Sequence, residues 1–106
     1  MAKRSVVWTE TAKMQRREIL KYWTLKTGST KYAEKLIALI KERIEIISNH
    51  PESCKLSEYS QTREAAMGNF SIYYKIFKTE IIITSFWDNR QDPSELLNLL
   101  TKPKTI

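Results

Sequence analysis

The spacing of apolar residues changes near the middle of the chain, from a helical period to a period of two. Val6-Val7-Trp8 predicts a short strand that leads into Thr9, a typical helix N-cap residue. Apolar residues then recur at spacings of three and four over two segments, which indicates two helices separated by Gly28. So short a connection predicts an antiparallel helical hairpin. The apolar positions of the two helices are Ala12, Ile19, Leu20 and Trp23, and then Ala33, Leu36, Ile37, Ile40, Ile44 and Ile47.

In the second half of the chain apolar and polar residues alternate, which is typical of strands. Three strands are predicted, over residues 63–67, 70–77 and 81–87. Gly68-Asn69 is a tight-turn pair, and Asp92-Pro93-Ser94-Glu95 has the N-cap, N1 and N3 residues of a short C-terminal helix. The predicted fold class is therefore α+β: an N-terminal strand and a helical hairpin packed on a small antiparallel sheet. We expect Trp8, Trp23 and the stripe of Ile40, Ile44 and Ile47 to fill its core.

Length and composition limit the class of protein. The 106 residues fit a single domain over residues 1–106. The single cysteine, Cys54, excludes an internal disulfide and a four-cysteine zinc site. Because no apolar run is long enough for a signal peptide or a membrane span, we expect a cytoplasmic protein without membrane association.

The net charge of +6 is concentrated at one end of the chain. Residues 1–31 contain eight basic and two acidic groups, whereas residues 32–106 contain ten of each. Lys13, Arg17 and Lys21 are four residues apart and therefore lie on one face of the first helix. Such a face is typical of a protein that binds a polyanion or an acidic partner. The alternative is a solvated face that only keeps the protein soluble.

The familiar catalytic and metal-binding arrangements are missing. Gly28 and Gly68 are forty residues apart, so there is no glycine-rich phosphate loop. His50 is the only histidine, and Cys54 has no neighbouring base that would make it a nucleophile. The sequence therefore predicts no metal site and no cofactor, and it argues against hydrolases, kinases and metalloenzymes.

The remaining candidates for chemistry are basic and aromatic groups in the strand half. Arg63, Lys75 and Arg90 would converge if the last three strands pair as successive hairpins, and arginine binds phosphate with two hydrogen bonds. The rings of Tyr73 and Trp87 could stack on bases. The alternatives are that Trp87 packs in the core, that Lys75 faces solvent, and that Arg90 forms an ion pair with a neighbouring aspartate. The two aspartates within reach are Asp88 and Asp92.

Several segments follow one another in a characteristic order. They are ILKYW at 19–23, NHP at 49–51, Arg63 followed by GNFSIYYKI at 68–76, and III at 81–83 leading to Trp87 and to RQDP at 90–93. In the order and spacing of these segments the chain resembles the RelE/ParE superfamily of bacterial toxins. No single segment is specific to the superfamily, but their order is. The resemblance covers nearly the whole chain, from Val6 to about Leu97.

The resemblance implies a small toxin of a type II toxin–antitoxin pair. Its partner would be a small acidic antitoxin encoded beside it, bound in a hetero-oligomeric complex. RelE-like members cut messenger RNA in the ribosomal A site, whereas ParE-like members inhibit DNA gyrase without being hydrolases. A third alternative is a homologue that only binds antitoxin.

Two departures from the RelE pattern favour the ParE-like alternative. Ser71 stands where RelE-type nucleases usually have arginine, and residues 89–97 contain neither the tyrosine nor the His–Tyr pair of those enzymes. A nuclease without a general base would lose about 10²–10⁴-fold in rate. If the protein is nevertheless a nuclease, its catalytic candidates are Arg63, Arg90 and Lys75. If the protein is ParE-like, we expect Trp87, Asn89, Arg90 and Gln91 to bind the target, because Arg and Trp are enriched at interface hot spots. The basic face of Lys13, Arg17 and Lys21 is the candidate surface for the antitoxin or a polyanion.

Overall fold

The structure of the protein, a computed structural model, describes residues 4–91. Its elements follow the predicted order of one strand, two helices and three strands. They are β1 (Ser5–Trp8), α1 (Glu10–Thr27), α2 (Lys31–Asn49), β2 (Arg63–Met67), β3 (Phe70–Ile76) and β4 (Glu80–Asp88). The predicted α+β class is confirmed, while the helix predicted from Asp92 onward lies outside the described residues.

Local side-chain chemistry explains where the helices begin and end. The Thr9 hydroxyl accepts a hydrogen bond from the Ala12 N–H at 3.1 Å, which caps the free end of α1. α1 ends at Gly28, whose φ of 69° is the left-handed conformation that glycine adopts without strain. The Ser29 hydroxyl then accepts from the Lys31 N–H at 3.1 Å and so starts α2. The predicted hairpin follows from these caps.

The four strands form one sheet in the order β1-β4-β3-β2. β2, β3 and β4 pair as successive antiparallel hairpins, as predicted, but β1 pairs with β4 in parallel. The sheet is therefore mixed rather than antiparallel. A period-two pattern indicates which residues face the core, but it does not determine the direction of a neighbouring strand that is distant in sequence.

The core lies between the helical hairpin and one face of the sheet. Ile40 and Ile47 are buried, and Ile44, Trp8 and Trp23 pack against them half-buried, which confirms the predicted core stripe. The sheet contributes the alternate residues that face the helices, as a period of two requires. They are Ala65, Met67, Phe70, Ile72, Tyr74, Ile81, Ile83 and Phe86.

β4 is longer than β1, and α1 covers the part of β4 that β1 does not reach. The register skips Thr84, which forms a bulge. Just beyond the bulge, the side-chain oxygen of Gln15 on α1 accepts hydrogen bonds from the Phe86 N–H and the Ser85 hydroxyl, both at 3.0 Å. Gln15 thus takes the place of a neighbouring strand and fixes α1 along the second half of β4.

Candidate functional site

An open cleft of about 600 Å³ lies between the second half of α1 and the segment that ends β4. Its walls combine two aromatic rings with both signs of charge. The lining residues are Glu18, Ile19, Tyr22, Trp23, Lys26, Asp88, Arg90 and Gln91. A concave site with an apolar wall and a few polar groups is the usual form of a binding site.

An ion pair between Arg90 and Asp88 forms the floor of this cleft. The guanidinium donates from Nε to one carboxylate oxygen at 2.8 Å and from Nη2 to the other at 2.9 Å. The Arg90 backbone N–H also donates to the carboxylate, at 3.0 Å. The Asp88 side chain is only 10% exposed and that of Arg90 is 45% exposed. Of the two ion pairs that the sequence offers to Arg90, the pair with Asp88 is therefore formed, while Asp92 lies outside the described residues.

Two aromatic rings, one on α1 and one on β3, lie against the Arg90 guanidinium. Its central carbon lies 4.5 Å from the centroid of the Trp23 ring and 5.5 Å from that of Phe70. The Trp23 ring is in turn fixed by Tyr22 and Tyr32, each with a centroid separation of 5.2 Å. A cation over an indole ring is stabilised by roughly 0.5–2 kcal/mol. The cleft thus joins both helices to the end of the sheet.

The charge state of the pair is fixed by its surroundings. Burial alone would raise the pKa of Asp88, but the hydrogen bonds and the positive charge of Arg90 outweigh burial, and the pKa lies below its ordinary value. The buried indole N–H of Trp23 contributes in the same direction, although it forms no hydrogen bond of standard geometry. The hydrogen bonds to Asp88 raise the pKa of Arg90. The site therefore presents an ion pair in which each member stabilises the charged form of the other.

The four residues predicted to bind the target lie on two sides of the sheet. Arg90 and Gln91 line the cleft. Trp87 is 4% exposed and packs with Tyr73 on the sheet face turned away from the core, and the Asn89 side chain also reaches that side. Successive residues of an extended chain point to opposite faces, which separates Trp87 and Asn89 from Asp88 and Arg90.

On the face away from the helices, polar groups form a network of their own. The Ser71 hydroxyl donates to the Glu64 carboxylate at 2.8 Å, and the Asn89 amide donates to Ser71 at 3.0 Å. Burial, with the negative charge of Glu64, raises the pKa of the adjacent Tyr73 to about 12. Tyr59 packs edge-on against Tyr73 at 5.7 Å. The network satisfies its own polar groups and leaves Tyr73 protonated at neutral pH.

The three catalytic candidates do not converge, so the expected cluster of Arg63, Lys75 and Arg90 is wrong. Arg63 pairs with Tyr74, whereas Phe70 pairs with the strand end that leads to Arg90. These positions are four residues apart on β3, or about 13 Å at 3.3 Å per residue. Successive antiparallel hairpins place the start of β2 and the end of β4 at opposite ends of the sheet, so the predicted pairing itself separates Arg63 from Arg90.

Arg63 and Lys75, the two catalytic candidates outside the cleft, also differ in their contacts. The Arg63 guanidinium donates to the backbone oxygen of Cys54 at 2.6 Å and so holds the loop before β2. Lys75 is half-buried, and its side chain forms no hydrogen bond or ion pair with any residue from 4 to 91. These two positions remain predictions for a nuclease, but they lie apart from the cleft.

The predicted basic face of α1 is present on the solvent side of the helix. Lys13, Arg17 and Lys21 are all exposed. Lys13 lies 3.4 Å from the carboxylate of Glu10, which is 93% exposed, so this pair is weak. Among the described residues there is no group of three or more potential metal ligands, and no described helix is long and apolar enough to span a membrane.

Sequence reasoning missed the helical half of the cleft. Trp23 was expected only in the core, and Tyr32 was not singled out, yet both fix Arg90. Trp23 and Tyr32 stand nine residues apart on either side of Gly28, so a tight hairpin brings them together. That spacing was the available signal for an aromatic cluster, but nothing in it indicates that the end of β4 joins the cluster.

The comparisons with known proteins agree with this architecture. The family model described as "ParE toxin of type II toxin-antitoxin system, parDE" matches residues 6–93. A solved structure of the chromosomal ParDE toxin–antitoxin system from P. aeruginosa is similar with a TM-score of 0.69, at 20% identity, over 79% of this chain and 94% of that chain. That similarity concerns the fold alone. Among proteins with curated descriptions, none matches. Because the family match spans most of its length, this chain belongs to the ParE toxin family of type II toxin–antitoxin systems.

Proposed function

We propose that this toxin arrests growth by binding DNA gyrase without hydrolysing a substrate, and that a small acidic antitoxin neutralises it in the cytoplasm. The observation that supports a non-hydrolytic mode of action is that the positively charged catalytic candidates lie far apart in the structure. Arg63 holds a loop at one end of the sheet, and Arg90 is paired with Asp88 at the other. Phosphoryl chemistry without a metal needs positioned charge and proton transfer at one point.

The cleft is the surface that we assign to the target. Its exposed residues are Glu18, Tyr22 and Lys26 on α1 and Arg90 and Gln91 after β4. Tyrosine and arginine are enriched among residues that dominate binding energy at interfaces. Trp87 and Asn89 contribute indirectly in this proposal, because they fix the strand end from its other face.

The basic face of α1 is the surface that we assign to antitoxin recruitment. Lys13, Arg17 and Lys21 point to solvent along one face and present three positive charges. An acidic segment approaching such a face gains in association rate, because charges of opposite sign steer the encounter. The proposed assembly is a toxin–antitoxin hetero-oligomer.

The two modes of toxicity are separated by testing one preparation in two assays. We expect the purified toxin to block DNA supercoiling by gyrase and to leave ribosome-bound messenger intact in primer extension. Messenger cuts in the ribosomal A site would instead establish the RelE-like alternative. Inactivity in both assays with antitoxin binding retained would identify a homologue that only binds antitoxin.

Variants of exposed cleft residues test the assigned surface while both members of the ion pair stay in place. Tyr22→Ala and Gln91→Ala each remove a side chain that lines the cleft, and Tyr22 is 53% exposed. We expect each variant to need roughly tenfold more toxin for half-inhibition of gyrase, a loss of about 1.4 kcal/mol in binding. The matched control is Lys41→Ala on the exposed side of α2, which should inhibit like the wild type. Equal activity of all three variants would remove the cleft from the target interface.

A further inference from the structure

The α1 wall of the cleft carries two charges of opposite sign on either side of an aromatic ring. Glu18, Tyr22 and Lys26 all line the cleft, and they follow one another at intervals of four residues. Side chains four residues apart lie on the same side of a helix, so these three residues form one row along α1, the α1 row. At a rise of 1.5 Å per residue, the α1 row is about 12 Å long.

Both charges of the α1 row are available to a partner. Glu18 is exposed, and its side chain forms no hydrogen bond or ion pair with any residue from 4 to 91. Lys26 is also exposed, and its ammonium lies 3.5 Å from the Tyr22 hydroxyl and 5.7 Å from the centroid of the Tyr22 ring. Glu18 and Lys26 are eight residues apart, which is too far for them to pair with each other.

The ring at the centre of the α1 row is held in place by its neighbours. Tyr22 is 53% exposed, and it packs edge-on against Trp23 with the ring centroids 5.2 Å apart. Trp23 in turn contacts Tyr32 of α2 and the Arg90 guanidinium. A ring that is already fixed loses little conformational freedom when a partner covers it, so less of the binding energy is lost to ordering.

The charges of the cleft favour a polypeptide over a nucleic acid. Its described lining contains two positive groups, Lys26 and Arg90, and two negative groups, Glu18 and Asp88, so this lining has no net charge. The chain as a whole, in contrast, carries a net charge of +6. Arg90 already pairs with Asp88, which leaves Glu18 and Lys26 to select a partner. A phosphate backbone laid along the α1 row would meet the Glu18 carboxylate, and like charges repel.

We propose that the cleft recognises a target segment of polypeptide with a basic residue at one end, an apolar residue in the middle and an acidic residue at the other end. The basic residue pairs with Glu18, the apolar residue covers the Tyr22 ring, and the acidic residue pairs with Lys26. Because the two ends of the α1 row differ in charge, the segment binds in one direction only. This inference rests on the proposed function, since it takes DNA gyrase as the protein that supplies the segment.

Charge-reversed variants of the toxin test the segment, with purified gyrase of the same organism as the probe. Glu18→Lys and Lys26→Glu each place a like charge against the proposed partner residue, so we expect each to raise the Kd for gyrase at least tenfold. Glu34→Lys and Lys41→Glu make the same two changes seven residues apart on the exposed side of α2, and they should leave the Kd within twofold of the wild type. Equal losses in both pairs would mean that only net charge matters, and would overturn the proposal.

A second pair of variants covers the possibility that a reversed charge prevents folding, which melting curves would reveal. Glu18→Gln and Lys26→Gln remove the charges without reversing them, and each should raise the Kd for gyrase about threefold or more. Unchanged binding by all four variants of the α1 row would overturn the segment and leave gyrase standing as the target. Failure of the wild-type toxin to bind gyrase would overturn the proposed function as well.

The same measurements separate the segment from two other occupants. An acidic segment or a nucleic acid in the cleft would bind Glu18→Lys more tightly than the wild type, whereas the proposed segment binds it more weakly. We expect the same losses with and without DNA in the gyrase preparation, and losses seen only with DNA would assign the α1 row to the nucleic acid. Weaker antitoxin binding by both reversed variants, with gyrase binding unchanged, would assign it to the antitoxin. Each of these results would overturn the proposal.

Discussion

At the residue scale, Arg90 acts mainly as an internal connection rather than as a free cation. Its guanidinium holds both carboxylate oxygens of Asp88 and lies over Trp23, so one side chain joins the end of β4 to α1. Removing Arg90 would leave a nearly buried carboxylate without its counter-ion.

Asp88→Asn tests this connection through its dependence on pH. The pKa of Asp88 is lowered in the folded state, so its contribution to stability is present above the unfolded-state value near 4 and is lost as pH falls through the folded-state value. We expect the variant to lose about 1.5–3 kcal/mol of unfolding free energy at pH 7, measured by urea denaturation. The difference from the wild type should shrink as the solution is acidified. Glu10→Gln, which breaks the exposed pair with Lys13, is the control and should leave the denaturation curve unchanged.

The raised pKa of Tyr73 can also be measured at single-residue resolution. Its pKa is raised to about 12, first by burial and then by the charge of Glu64, so it should remain protonated near pH 11, where exposed tyrosines have ionised. Tyrosine ring NMR shifts report this directly. Glu64→Gln should lower the pKa of Tyr73, while Glu58→Gln, whose charge acts on Tyr59, should not.

The same shift predicts the alkaline limit of stability. The folded state retains a proton on Tyr73 that the unfolded chain releases near pH 10, so the stability that depends on this group falls as pH rises from about 10 toward 12. A Tyr73→Phe variant should show a shallower decline over that range. An identical decline in both proteins would locate the alkaline sensitivity elsewhere.

At the element scale, α2 carries the core stripe and also an exposed apolar side. Ile47 is fully buried against the sheet, whereas its neighbour Ile46 is 37% exposed. The two positions are adjacent, and a helix turns 100° from one residue to the next. An isoleucine therefore faces the core at position 47 and solvent at position 46. Ile44, on the core side, is only half-buried.

Alanine variants of these neighbours compare the two sides of the helix. Ile47→Ala should cost about 2–5 kcal/mol of unfolding free energy, because it removes buried methylene groups and leaves a cavity. We expect Ile46→Ala to cost less than about 1 kcal/mol and Ile44→Ala to fall between them. Thermal melts of the three variants check the order. Equal losses at Ile46 and Ile47 would contradict the orientation of α2.

At the scale of the whole molecule, the basic face of α1 and the neighbouring cleft differ in charge and in shape. The positive charge of residues 1–31 is carried mainly by α1, whose solvent face is basic, while the cleft beside it has both signs of charge. Exposed charges are screened beyond about 8 Å at physiological ionic strength. Long-range attraction therefore acts on the rate of encounter with an oppositely charged partner, whereas short-range contacts act on the lifetime of a complex.

The combined variant Lys13→Gln, Arg17→Gln and Lys21→Gln tests the encounter. We expect its association rate with the antitoxin to fall at least tenfold at low salt, with a much smaller change in the dissociation rate, as measured by stopped flow. The dependence of the association rate on salt should also weaken. A matched removal of Lys31, Lys35 and Lys41 on α2 should lower the association rate less. Equal reductions would mean that only net charge matters, and that the α1 face has no special role.

The elements, their order and the core residues follow from local sequence patterns. The caps at Thr9 and Gly28 and the apolar spacing of the helices depend only on residues within one or two helical turns. The alternation in β3 depends only on residues within that strand. Each of these signals can therefore be interpreted without knowledge of the rest of the chain. The family was also within reach of the sequence, because the order of its segments is a linear property.

Which distant residues meet depends on the tertiary fold. The parallel pairing of β1 with β4 did not follow from the sequence pattern, and it makes β1 an edge of the sheet. The cleft around Arg90 and Trp23 arises where a helix end, a hairpin turn and a strand end come together. The direction and register of strand pairing depend on contacts between residues up to about 75 positions apart. Local periodicity contains no information about such contacts, because they depend on how the whole chain packs.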